Sequence, residues 1–138
     1  MKVREIFITE FDKDRLDELV RVAEDFGGED RSDLQDLKGE LARANIVVPE
    51  QVPASVITMN STVLLRDIES SEEMTYTLVF PKNADIGRGT VSVLAPIGMA
   101  ILGYAEGDVV EWPVPSGMAQ IAIEKVLYQP ESSGDFHL

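Results

Sequence analysis

Cysteine is absent from this chain and histidine occurs once, at position 137. Disulfides and thiolate chemistry are therefore excluded, as are histidine metal cages, which need more imidazole than one residue supplies, and Ser–His catalysis is unsupported. His137, next to last, reads as a tail residue. Nowhere do about 18 apolar residues follow one another, and Met1 to Glu5 lead into only a few apolar residues before acids appear. Neither a membrane-spanning helix nor a secretory leader is expected, which puts the chain in the cytoplasm. Bases are scarce too: 12 against 25 acids, a net charge of −13. Eight bases face fourteen acids over residues 1–50, and four face eleven over the rest, so both halves are acidic. Phosphate-backbone binding needs a basic patch, so direct nucleic-acid binding is not expected, and a basic protein surface is the natural electrostatic partner. Glycine fingerprints and nucleophile elbows are missing, since Gly87-Arg88-Gly89 lacks a third glycine. The aromatics Tyr76, Phe80, Tyr104 and Trp112 are too scattered to argue for a ligand pocket and read as core or interface residues.

What is present is a sequence of 138 residues, 44% hydrophobic, enough for one domain with an appendage. Its centre is Ser92 to Val110. Ser92 to Leu94 read as a short buried strand, and Pro96 stands where a first helical position tolerates a missing N–H. Ile97, Ile101 and Leu102 recur at helical spacing, and Gly103 falls where a left-handed cap wants no Cβ. Glu106-Gly107-Asp108 is a turn, and Val109 to Pro113 resume as a strand.

Before this unit, Glu5 to Thr9 form a short extended lead-in. Asp12 is the expected N-cap of a first helix over about Lys13 to Phe26, with Leu16, Leu19, Ala23 and Phe26 forming its seam. Gly27-Gly28 end it. Ser32 and Gln35 form a capping box for a second helix whose seam is Leu34, Leu37, Leu41 and Ala44. Two seamed helices joined by so short a loop make an antiparallel hairpin, either a cap laid on the domain or a projecting arm of roughly 20 Å. Gly39 weakens the second helix. Pro49 and Pro53 bracket a stiff linker. Val56 to Arg66 read as one long strand, bent near Asn60-Ser61, and Met74 to Phe80 as its hairpin partner across the polar turn 68–73. Met118 to Tyr128 alternate cleanly apart from a phase slip near Lys125 that suggests a bulge. Residues 129–138 are expected to be partly mobile.

Tyr76 to Val126 resemble the C-terminal domain of the bacterial Gre transcript-cleavage factors. The resemblance is carried by Tyr76-Thr77-Leu78-Val79, Ala84-Asp85-Ile86, Val91 to Ile97, Ile101-Leu102-Gly103 and Glu106-Gly107-Asp108-Val109-Val110. Val56 to Ser61 and the ending Tyr128 to Leu138 extend it to nearly the whole chain, toward family members with a short N-terminal helical pair. The resemblance implies an α+β fold. An antiparallel helical hairpin, a short coiled coil, occupies residues 1–48 and a linker 49–55. An FKBP-like antiparallel sheet domain with one short helix occupies 56–138.

It also implies a partner, RNA polymerase. The family docks on the rim of the polymerase secondary channel through the loop that matches Ser92, Ala95, Pro96 and Ile97. Ala95 stands where the cleavage factors commonly carry serine before proline, so a hydroxyl contact is lost. Cleavage factors bring Mg²⁺ to the polymerase's own centre with an Asp and a Glu in an Asn-Ala-Glu-Tyr setting, which is absent here. Glu29, Asp30 and Asp33 at the hairpin tip do not match it residue by residue. They form either a solvated corner or carboxylates that meet a cation with help from a second protein.

The expectation is a non-catalytic, monomeric regulator at the polymerase channel, competing with Gre factors. It has no cofactor, no metal of its own, and no nucleic-acid or membrane partner. The alternatives are a true cleavage factor using the tip acids and a peptidyl-prolyl isomerase suggested by the fold.

Overall fold

The computed structural model describes residues 6–26, 32–114, 117–136 and 138; of Phe26, Ser32, Asp33, Ile86 and residues 112–114 it describes the backbone only. The elements in chain order are β1 (Phe7–Thr9), α1 (Glu10–Phe26), α2 (Ser32–Arg43), β2 (Asn45–Val47), β3 (Thr62–Asp67), β4 (Glu73–Val79), β5 (Thr90–Ser92), α3 (Pro96–Ile101), β6 (Val109–Val114) and β7 (Gly117–Tyr128). A helical hairpin therefore precedes a five-stranded sheet of order β5-β4-β3-β7-β6.

The hairpin starts earlier than its polarity pattern suggests. Thr9, not Asp12, caps α1: its hydroxyl accepts the Asp12 amide at 3.1 Å, and Glu10 and Phe11 are already helical. Asp12 turns inward instead and is buried. The seam is also rotated. Leu16 and Val20 are buried, whereas Leu19 and Ala23 are only partly so, because α1 packs on the sheet domain as well as on α2. On α2 the expected Leu34, Leu37 and Leu41 are buried. The side chain of Ser32, half of the expected capping box, lies outside the described residues, as does His137.

The lead-in is a strand that pairs in parallel with β2, Ile8 opposite Ile46, so the two ends of the hairpin are stitched together at its base. This pairing is not legible locally, since β1 and β2 are three residues each and 35 residues lie between Thr9 and Asn45. β1 then continues the hydrogen bonding onto the central unit, Phe7 N–H donating to the Gly103 carbonyl at 3.1 Å. Gly103 has φ +82°, and a Cβ there would stand 2.8 Å from Ile6 Cβ. The left-handed cap and the close approach of β1 both require glycine.

In the sheet, β3–β4, β3–β7 and β6–β7 are antiparallel as expected, but the edge pair β4–β5 is parallel, Leu78 opposite Val91. The 3₁₀ turns Pro81–Asn83 and Ile86–Arg88 carry the chain back for it, so β5 leaves toward α3 in the direction of β4. The expected bulge near Lys125 is present: Leu64 faces Lys125 and Leu65 faces Ile123, which leaves Glu124 extra, and a second shift precedes Tyr128. The long strand Val56–Arg66 is broken. Asn60 adopts φ +69°, and only Thr62 onward joins the ladder. Asn tolerates that conformation because its short polar side chain can bond locally. The tail folds back on the domain: Gln129 and Pro130 are buried, and the described backbone beyond them makes successive turns.

One apolar cluster, from Ile6 and Leu16 to Ile101 and Ile123, runs through hairpin base and sheet domain. Its tightest point is α3 on β5. A Cβ on Gly98 would stand 2.1 Å from the Ser92 carbonyl oxygen, so the helix meets the strand backbone to backbone. Gly98→Ala should destabilise the fold by about 3 kcal/mol, since neither backbone can give way. Gly39→Ala, in an exposed helix interior with open space around it, should stabilise by up to about 1 kcal/mol. Urea titration checks both, and equal midpoints for the two variants would sink the packing argument.

Candidate functional site

Two regions bear on function: the β5–α3 turn, where the sequence expects a docking loop, and the base of the hairpin, where it expects nothing. At the turn, Ser92 ends β5 and its hydroxyl accepts the Leu94 amide at 3.0 Å. Its carbonyl accepts the Ala95 amide at 3.0 Å. Ala95 takes the extended N-cap conformation without a side-chain cap, its carbonyl accepting the Met99 amide at 2.9 Å, and Pro96 opens α3. Pro96 is exposed, while Ser92, Ala95 and Ile97 are half-buried. All four lie on one turn, pinned by Gly98. The turn offers a rigid proline edge with an aliphatic flank and no ionised group among Ser92 to Ile97.

Glu29 and Asp30 lie outside the described residues, and of Asp33 only the backbone is described. Among the described residues no three or more Asp, Glu or His side chains converge as a metal site. No helix among them is long and apolar enough to cross a membrane.

At the hairpin base the decisive side chain is Asp12, 1% exposed. One carboxylate oxygen accepts the Met59 amide at 3.0 Å and the other accepts Arg15 Nη2 at 2.5 Å. Burial pushes this carboxyl up to about 6 from an ordinary 3.8; the Met59 and Arg15 bonds pull it back only partly, and the charge of Glu131 adds to the rise. Arg15 lies between two rings, 4.0 Å from the Phe11 centroid and 4.9 Å from that of Phe80, and donates to the Leu138 carbonyl at 2.8 Å. On the other side, Arg43 at the end of α2 donates to the Tyr104 hydroxyl at 2.7 Å. Farther out along the hairpin, the described polar contact is between its own helices, Lys38 to Glu24 at 2.8 Å. The described hydrogen bonds between hairpin and sheet domain thus gather at its base. On α1 Phe11 and Val22 are exposed and Leu19 is half-buried, and the three wall an open groove of about 900 Å³ with Phe80 and Pro81.

Sequence reasoning missed Asp12 as a bridge, and Arg15, Asn60 and Glu131 with it. A signal existed: Thr9-x-x-Asp12 is a capping-box spacing, which starts the helix at Glu10 and frees Asp12 for another task.

With this geometry in place, comparison with known proteins identifies the class. A family model described as transcription elongation factor, GreA/GreB, C-term matches residues 52–128, and a second, Rnk N-terminus, matches residues 4–47. The chain belongs to the GreA/GreB family, with the Rnk type of N-terminus. It is 37% identical over 134 residues to the regulator of nucleoside diphosphate kinase of Escherichia coli strain K12, covering 96% of each chain. With the transcription elongation factor GreA of Desulfotalea psychrophila it shares 33% identity over 103 residues, 75% of this chain but 61% of that one. A solved structure, the prokaryotic transcription elongation factor GreA/GreB from Nitrosomonas europaea, superposes with a TM-score of 0.75 at 42% identity, covering 90% of this chain and all of the other. That match has the same plan of N-terminal helical hairpin and C-terminal β domain.

The Asp12 carboxyl gives a pH signature. The folded chain holds its proton more tightly than the unfolded chain, so the contribution of this group to stability is fully present below about pH 3.8 and is lost as pH rises through about 6. A rise of about two pH units corresponds to about 3 kcal/mol. Unfolding free energies of the native chain and of Asp12→Asn, measured from pH 4 to 7.5, should diverge by that amount. Parallel curves would show that Asp12 does not titrate as its burial requires.

Proposed function

We propose that this chain is a non-catalytic regulator that binds bacterial RNA polymerase at the rim of its secondary channel and competes there with Gre factors. The observation that carries the reading is a short hairpin held at its base beside a rigid, exposed proline turn. α1 has 17 residues and α2 has 12, about 25 and 18 Å of helix. In this reading residues 1–48 are the lever, 49–55 the joint and 56–138 the platform. Ser92, Ala95, Pro96 and Ile97 are the docking positions. A turn whose backbone is already ordered loses little entropy on binding, which favours a small contact. A net charge of −13 favours fast approach to a basic rim.

Membership in a family of transcription elongation factors supports polymerase as the partner, and the relative named as a regulator supports a role without catalysis. The GreA relative carries more chain than the matched part, consistent with a shorter lever here. Such a lever occupies the channel mouth without bringing carboxylates to the metal centre, and it acts in the cytoplasm, where the polymerase is.

The test uses stalled polymerase complexes, scoring binding and RNA shortening with and without a Gre competitor. Binding without shortening, relieved by the competitor, is expected. Pro96→Ala with Ile97→Glu should weaken binding at least about tenfold, the scale of one buried apolar contact replaced by a charge. Asp30→Ala should leave binding unchanged. Shortening that disappears in Asp30→Ala would establish a cleavage factor instead. Turnover of a proline peptide without polymerase binding would establish an isomerase.

A further inference from the structure

We propose that the tail, described over residues 129–136 and at Leu138, is a strap that sets the direction of the helical hairpin and opens independently of the core. At its first end Gln129, 1% exposed, donates from Nε2 to the carbonyls of Pro53 at 2.7 Å and Val56 at 2.8 Å. The next fastening is the Thr58 hydroxyl, which donates to Glu131 Oε1 at 2.7 Å. At its far end the Leu138 carbonyl accepts Arg15 Nη2 from α1 at 2.8 Å and Asn60 Nδ2 from the sheet domain at 3.1 Å. One acceptor thus joins hairpin to platform, 123 residues from its partner on α1.

The segment between is folded on itself by turns. Ser132 N–H donates to Gln129 Oε1, Asp135 N–H to the Pro130 carbonyl, and the Tyr128 hydroxyl to the Asp135 carboxylate. Beyond Pro130 the fastening is almost wholly polar: Phe136 and Leu138 remain 43% and 37% exposed. Hydrogen bonds at a wet surface add little each, whereas the hairpin base buries Ile6, Ile8 and Leu16 completely or nearly so. The strap is therefore the weaker of two attachments, and it can release while the base stays packed.

Release removes one of the two hydrogen-bond acceptors described for Arg15, leaving the guanidinium to Asp12 and the two rings. Asn60, with its left-handed backbone, is the pivot on the platform side. The hairpin then has two regimes, one direction with the strap closed and a range with it open. This inference concerns the hairpin alone and stands whether or not polymerase is the partner.

The test exploits the absence of cysteine. Asp25→Cys near the hairpin end and Glu111→Cys on β6, both exposed, accept spin labels for a distance distribution. The labelled chain should give one narrow distribution. Adding Asn60→Gly, which keeps the left-handed φ, and Glu131→Ala should widen it at least about twofold, as a second population appears. An unchanged width with a native urea midpoint would overturn the proposal. Should the variant not fold, amide exchange in the unaltered chain decides. The Ser132, Ser133 and Asp135 amides should exchange at least about tenfold slower than in an unstructured peptide, yet faster than the Met59 amide held by Asp12. Exchange at the unstructured rate, or no faster than that of Met59, would overturn it.

Discussion

A carboxylate taken out of water is costly unless something compensates it, and this chain places one, Asp12, at the joint between its two parts. Its oxygens answer to both: Met59 belongs to the platform, Arg15 to the hairpin. Removing either partner would leave the other's bond to a poorly solvated charge. The joint is therefore specific in a way that apolar packing alone is not, because an aliphatic seam tolerates a rotation that a carboxylate between an amide and a guanidinium does not. The rest of the base is arranged around that constraint. Thr9 takes over the capping role, β1 and β2 close the hairpin, and Gly103 lets β1 come within reach of the central unit.

The same constraint links the hairpin to the β5–α3 turn. Gly103 ends the segment that follows α3, and its backbone is bonded to Phe7 on one side and Ile57 on the other. The hairpin base and the exposed Pro96 are thereby separated by only a few bonded residues. With the tail fastened on Arg15 and Asn60, the surface presented by the turn and the helical hairpin rooted in β1 are held in one relation to each other.

Much of this was readable in the residues. Pro96 and Gly103 delimit α3 because the first lacks an N–H and the second lacks a Cβ, and both facts hold in any context. Leu34, Leu37 and Leu41 face inward because their spacing leaves them one face on which to be buried. Where local reading failed, two local signals competed. Asp12 is a good cap and so is Thr9; the Thr9 hydroxyl caps the helix, and the Asp12 carboxylate accepts a distant amide instead. Leu19 and Val20 are both apolar, and burial went to Val20 once a second surface joined α2 in covering the helix. The run from Val56 to Arg66 has strand composition throughout, but the described pairing of its first half is an isolated antiparallel bridge, Val56 opposite Ala105, before Asn60 turns the chain.

What the sequence determined by itself is most of the elements, the acidic balance, the absence of cysteine and the family: each depends on residue type and short-range spacing. Tertiary structure alone decided the parallel pairings β1–β2 and β4–β5, the buried bridge from Asp12 to Met59, and the docking of the tail on Arg15. Those contacts join residues 13 to 123 positions apart. No local pattern encodes them, because each is selected by what the rest of the folded chain leaves unpaired.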